Sequence, residues 1–242
     1  MVNIDTVYQR VLTLANKEQR GYVTPQEFNL FANQAQMEIF EQYFYDIKQF
    51  NRIPGNTQEF SDPLSILYEK IGIFEIEQDD TWMTTNMPVI TSPYITIPNE
   101  IYKIGTVRVN NNEVELLNSK DYDLAISLPL TAPILERPIG HISNRGLRIS
   151  IGDGIANPVP GGANPLSISY IARPTKVEWA YVVVNEKALY NGNVSVDFEL
   201  HQSEETELVY KILKFAGINL KAPEMAQLAS ALEDSQVQKE KI

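Results

Sequence analysis

Thr24-Pro25-Gln26-Glu27, followed by a run to Phe50 with neither glycine nor proline, is the stretch that sets the architecture. Threonine at the N-cap, proline at the first helical position and glutamate three residues after the cap make a capping box, in which side chains and orphan backbone N–H groups satisfy one another. At 1.5 Å per residue the helix that follows is a rod of roughly 39 Å. Phe28, Phe31, Ala32, Ala35, Ile39, Tyr43, Ile47 and Phe50 recur at helical spacing and form one broad apolar face. A second stripe is offset from it: Leu30, Met37 and Phe44 repeat every seven residues, with Phe40 beside them. A helix apolar on two sides needs cover from two directions, so the second stripe packs either on its own chain or on a neighbouring subunit.

Outward from this rod, Ile4, Val7, Val11 and Leu14 predict a first helix, capped by Asn3 or Asp5 and ending near Lys17, with Gly21 breaking the chain. Ile53-Pro54-Gly55-Asn56 reads as a loop, and Ser61-Asp62-Pro63 starts a short helix through Tyr68 and Ile71 that Gly72 ends. The period then shortens to two-residue alternation with many turn signals, as in a β-rich region. Candidate strands are 73–77, 94–97, 104–109, 113–117, 147–151, 167–171 and 194–200. Asn110-Asn111-Asn112 joins the third to the fourth, and Asn191-Gly192 predicts a type I′ turn coupling a strand at 181–184 to the last one. A small helix over 119–125 has Ser119 as its cap and Pro129 as its stop.

Residues 152–165 carry Gly152, Gly154, Pro158, Pro160, Gly161, Gly162 and Pro165, too many breakers for a regular element. This long loop is a flexible surface connection or a reach toward a neighbouring subunit, with Pro158, Pro160, Gly161 and Gly162 as its candidate contacts. Helices return at Ser203-Glu204-Glu205, a cap with first-turn carboxylates, and continue through Leu208, Ile212 and Phe215 to Gly217 as the stop. Pro223 opens another helix through Met225, Leu228 and Leu232, and the polar tail from Asp234 is expected to fray. The pattern predicts an α+β fold: helical segments 1–72 and 201–242 packed into one bundle, with 73–200 a central antiparallel β-rich domain.

The 242 residues include no cysteine, which removes disulfides, thiolate metal sites and cysteine nucleophiles. The start lacks the basic and apolar regions of a secretory signal and no apolar run approaches a membrane span, so a soluble, cytoplasmically made protein with no membrane partner is expected. A net charge of -11 and a pI near 4.7 argue against a phosphate-gripping groove. The dispersed acid reads as a solvated surface, or as the lining of a channel that passes DNA without binding it.

Few residues suggest chemistry. His141 and His201 stand outside any recognisable constellation, and His201 reads as a junction residue bonding near Ser203. No His-Glu-x-x-His motif, P-loop or Gly-x-Ser-x-Gly elbow occurs. Asp79-Asp80, Asp121 with Asp123, and Glu204-Glu205 have the residue types of a glycosidase pair. Each has a simpler reading as a loop flank or a polar helix start. Trp82 and Trp179 can serve a sugar platform, a protein interface or a core. No catalytic, metal or cofactor residue is assigned, and a protein without enzymatic activity is expected.

The run Val7-Tyr-Gln-Arg-Val-Leu-Thr-Leu-Ala-Asn-Lys-Glu-Gln-Arg-Gly21, continuing through Gln36 to Tyr45-Asp46, resembles the N-terminus of structural proteins from crAss-like and related short-tailed phages. Ser169-Tyr-Ile-Ala-Arg-Pro-Thr175 with Trp179, and Ser195-Val-Asp-Phe-Glu-Leu-His-Gln-Ser-Glu-Glu-Thr-Glu-Leu-Val209 through Ile218, agree with it. The likeness covers the helical ends and is weak over 73–165. It implies a virion protein of the head-tail connection: a ring or adaptor subunit, commonly twelve to a ring, stacked with the portal and other ring or tail proteins, with DNA as passing cargo. The β-rich centre departs from the mainly helical adaptors of other short-tailed phages, and a tail or collar component with a carbohydrate- or receptor-binding β domain is the alternative.

Overall fold

The structure is a computed structural model that describes residues 1–17, 23–50, 61–89, 93–152, 157–185, 187–219 and 231. The expected break at Gly21, the loop at 53–56, Gly154, the helix opened by Pro223 and the polar tail lie outside them. In chain order the first elements are α1 (Ile4–Lys17), α2 (Pro25–Phe50), α3 (Ser61–Gly72), β1 (Glu75–Gln78), α4 (Asp80–Asn86), β2 (Tyr94–Ile95), β3 (Ile101–Val109), β4 (Asn112–Glu113) and β5 (Glu115–Leu117). There follow α5 (Ser119–Ser127), β6 (Ile139–Ser143), β7 (Gly146–Ser150), β8 (Leu166–Ala172), β9 (Tyr181–Val184), β10 (Lys187–Tyr190), a short 3-10 turn (Gln202–Glu204) and α6 (Glu205–Asn219). The fold is α+β. It divides into one unit made of Met1–Ile73 with Pro174–Ile242 and a second made of Phe74–Arg173.

In the first unit the capping box is formed. Thr24 N–H donates to Glu27 Oε2 at 3.1 Å, and Glu27 N–H donates to Thr24 Oγ1 at 3.3 Å. α6 packs on both α1 and α2, and α3 packs on α2. The first stripe of α2 is core: Phe28, Phe31, Ala32, Ala35, Ile39 and Tyr43 are all buried. α1 is capped by Asn3, whose Oδ1 accepts from Thr6 N–H at 3.0 Å, and Asp5 instead accepts the Trp179 indole N–H at 2.9 Å. α6 runs through Gly217 to Asn219, so glycine is not its stop.

Residues 174–200, expected in the β domain, belong to this helical unit. The reason is a line of amides on α2. Asn29, Asn33 and Gln36 sit at i, i+4 and i+7, on one side of the helix, and bond an extended backbone as a neighbouring strand would. Asn29 exchanges two hydrogen bonds with Trp179, donating to its carbonyl at 3.3 Å and accepting from its N–H at 2.8 Å. Asn33 does the same with Val177, at 2.8 and 3.0 Å. Gln36 donates to the Thr175 carbonyl at 2.7 Å and accepts from Glu199 N–H at 3.3 Å. Residues 194–200, of which Glu199 alone bonds the amide line, make only isolated bridges, Glu178 to Val196 and Val2 to Phe198, instead of the predicted strand. The hairpin turns earlier than Asn191-Gly192: β9 pairs with β10, starting at Val184 opposite Lys187, with Asn185 at φ 49°.

The second unit holds two four-stranded sheets, ordered β1-β8-β3-β4 and β2-β7-β6-β5. All pairs are antiparallel except β5 with β6. Alternation puts Leu166, Ile168 and Tyr170 of β8, Val107 and Val109 of β3, and Leu147 and Ile149 of β7 into one core, joined by Met83 and Met87 from α4 and its C-terminus. The single strand predicted at 113–117 is split at Val114, β4 pairing with β3 and β5 with β6. Asn110 and Asn111, at φ 49° and 69°, make the left-handed turn before β4. β6 and α4 were not foreseen, and α5 is capped by Asn118, one residue before the expected Ser119.

Two stability experiments follow. Asn33→Ala strands both backbone groups of buried Val177, and equilibrium denaturation is expected to show a loss of about 2–4 kcal/mol. Gly146 has φ +122°, and a Cβ there would lie 2.1 Å from the Ile95 carbonyl oxygen. Gly146→Ala is therefore expected to cost more than about 2 kcal/mol, read through the fluorescence of Trp82 in the same unit.

Candidate functional site

Most of the paired carboxylates have a structural occupation. Asp79 caps α4, accepting from Trp82 N–H at 3.0 Å. Asp80 points its carboxylate the other way, accepting from Gly161 N–H at 3.0 Å and Leu166 N–H at 3.1 Å, and so ties the Gly/Pro-rich loop to α4. Asp121 lies in the first turn of α5 and accepts from the Asn118 side-chain amide, while Asp123 is exposed. Glu204 and Glu205 diverge: Glu204, 1% exposed, forms a buried ion pair with Lys70 of α3, and Glu205 meets Arg10 of α1 at 3.0 Å.

His201 caps the 3-10 turn, accepting from Ser203 N–H at 3.3 Å, in the junction role expected of it. His141 Nδ1 lies 3.3 Å from the Leu117 carbonyl oxygen, and its ring rests against Tyr122. Trp179 is core, and Trp82 is half-buried, stacked on Tyr170 at 5.5 Å. Neither indole is presented as an open platform. No cluster of three or more His, Asp or Glu suited to a metal ion occurs among the described residues.

The candidate contact residues separate into available and unavailable ones. Leu30 is 67% exposed, and Met37 and Phe44 are half-buried. Phe40 is fully buried, with its ring edge-on to Phe44 at 5.1 Å, and so has no surface to give a neighbour. Helical spacing explains this: Phe40 continues the line of Asn29, Asn33 and Gln36, the side of α2 that 174–200 covers. Pro158 is likewise buried and Pro160 half-buried, whereas Gly161 and Gly162 are exposed. The described part of their loop is folded back, with Gly162 N–H donating to Val159 O at 3.0 Å and a Cβ on Gly161 reaching to 3.2 Å from Thr84 Oγ1.

Reading the sequence missed the larger surfaces. Leu130 is 92% exposed and Val183 63%, each among other uncovered apolar side chains. The available signal was an absence: residues 124–135 contain no charged side chain. A cleft of about 600 Å³ lies between α1 and α6, bounded by Arg10, Leu14, Val209 and Tyr210. Arg10, which lines it, pairs with Glu205 at 3.0 Å.

No family model and no curated protein sequence matches the chain.

Tyr122 is 1% exposed, and burial raises its phenol above the usual value near 10, against a lowering by Arg148, whose guanidinium lies 5.4 Å from the ring centroid. Its hydroxyl finds no partner of good geometry, with Ser150 near enough only to moderate the rise. A raised folded-state value means that the unfolded chain loses this proton first, so the associated stability is complete below about pH 10 and lost as pH climbs through the folded value. Tyr122→Phe is expected to match native stability at neutral pH and to flatten the alkaline decline, measured by denaturation at neutral pH and above about pH 10.

Proposed function

We propose that this chain is a structural subunit of a phage virion, one that assembles into an oligomeric ring at the junction of portal and tail and surrounds the DNA channel. One observation carries the reading beyond the resemblance of the helical ends: at least twenty large hydrophobic side chains stand exposed, Leu30, Leu130 and Val183 among them, on a chain of net charge -11. Scattered apolar side chains are ordinary on a monomer, but uncovered groups of them mark interaction surfaces.

The polar groups support the same reading from the other side. Asp79, Asp80, Glu204, Glu205 and His201 are engaged in caps, ion pairs and loop ties, which suits a part whose work is mechanical. The acid lets a bore pass DNA without gripping it, because phosphate binding is driven by Lys and Arg. A ring of twelve subunits, contacting portal and other ring or tail proteins within the virion neck, is the assembly this reading expects.

Native mass spectrometry of the full chain, alone and mixed with portal protein, together with a search for the chain in purified particles, tests the proposal. Oligomers or a portal complex, and presence in virions, are expected. A chain that stays monomeric, ignores portal and is absent from particles overturns it. Leu30→Lys is expected to change folding stability by less than about 0.5 kcal/mol while weakening the complex that Leu30 faces.

A further inference from the structure

Two stretches of this acidic chain are both poor in charge and uncovered. The first runs along α5 and beyond it: residues 124–135 contain no Asp, Glu, Lys or Arg. There Leu124, Ile126, Leu128, Leu130 and Ile134 are 56, 37, 45, 92 and 52% exposed. The second is the hairpin of β9 and β10, whose only charged residues are the adjacent Glu186 and Lys187.

The base of the hairpin is anchored. Tyr181 and Tyr190 face each other across the strands and stack 5.9 and 5.7 Å from buried Trp179. Toward the turn, Val183 pairs with Ala188 on that same face and Val182 pairs with Leu189 on the other. Val182, Val183, Val184 and Leu189 are 50, 63, 45 and 52% exposed. Neither outer edge of the ribbon has a strand neighbour among the described residues. A lone two-stranded ribbon is marginal by itself, and an apolar edge strand without cover invites pairing.

The exposed apolar side chains of residues 124–135, and those of the hairpin counted over both faces of the ribbon, each amount to on the order of 500 Å². Together they reach the ~1,000 Å² that a specific interface clears. Charge then selects the partner. Two copies at -11 each repel wherever their acids meet, and these stretches are where like chains can touch without that penalty. Depletion of charge is also the compositional mark of an interface core. Because the two surfaces differ, a contact between them is heterologous, and such a contact repeated from copy to copy generates a ring when the rotation closes.

We infer that residues 124–135 of one copy pack on the β9–β10 hairpin of the next copy. The inference names the seam between subunits and rests on the ring reading for its closure.

The absence of native cysteine makes the test clean. Full-length Leu130→Cys/Val182→Cys, mildly oxidised, is expected to give a covalent ladder of dimers and higher species, while each single-cysteine variant stays monomeric on a denaturing gel. Val182→Lys and Leu130→Lys are each expected to weaken self-association in sedimentation velocity by at least about tenfold, with thermal unfolding unchanged because both side chains are exposed. No ladder, an equal ladder from a single variant, or undiminished association of the lysine variants overturns the inference. A wild-type chain that is monomeric at every soluble concentration also overturns it, the surfaces then belonging to another partner. A ladder from a protein absent from virions leaves this seam standing and sinks the ring reading. Rings in virions without the cross-link do the reverse.

Discussion

The amide line on α2 is the interaction on which the first unit depends. A helix normally meets its neighbours through apolar contact, yet here Asn29, Asn33 and Gln36 turn one side of α2 into a surrogate strand for residues 175–179, with Glu199 beside them. The covered segment places Trp179 in the core and its indole N–H on Asp5, and Asp197 accepts from Ile4 N–H at 2.8 Å at the start of α1. One extended stretch thereby ties the beginning of the chain to α2 and leads into α6. Because a buried backbone group without a partner costs as much as a lost hydrogen bond or more, the amides decide where this segment runs as firmly as the apolar stripe decides how α2 is seated.

That arrangement also explains how a β-rich unit of Phe74–Arg173 can sit in the middle of the sequence. Its ends meet, with Ala172 N–H donating to the Phe74 carbonyl at 2.8 Å beside the β1–β8 ladder. An excursion whose ends adjoin leaves the flanking chain free to close its own core. In the first unit, buried charge adds specificity to that closure. Lys70 and Glu204 are 8 and 1% exposed, and Glu207 and Lys211 on α6 are 4 and 2% exposed with their charged atoms 3.5 Å apart. Such pairs gain little net stability over apolar packing, but a shift of α3 against the start of α6 would leave an ion buried alone, at a cost of several kcal/mol.

What was legible in the sequence follows from how local the cause is. The capping box at Thr24, the apolar stripe of α2, the asparagine turn at 110–111 and the α+β class are set by neighbours a few residues apart, and they read directly. The boundary at residue 174 did not, because it depends on amides 139 to 150 residues away in sequence, and an asparagine on a helix looks like any solvated polar residue until its partner is known. The 113–117 strand was misjudged for a similar reason: alternation says that a strand forms, not that it changes partner halfway. Among the candidate contacts, Phe40 and Leu30 look alike as apolar residues on the second side of α2, but around the helix Phe40 falls about 20° from Asn29 and Leu30 about 100°, and that difference separates a core ring from an exposed leucine.

The surface then poses a physical problem that the core does not. A chain this acidic is kept apart from its own copies by long-range repulsion, yet it leaves leucine, isoleucine and valine side chains uncovered in blocks rather than singly. Screening limits the repulsion to about 8 Å at physiological ionic strength, so it is weak where charge-free surfaces keep the nearest acids farther apart than that. Repulsion with localised apolar patches favours few orientations over many, because any approach that brings acids together is penalised and only the uncharged blocks are not. Acidity that opposes indiscriminate contact between copies would also restrict how they meet, and a defined geometry of contact is what distinguishes a closed assembly from an aggregate.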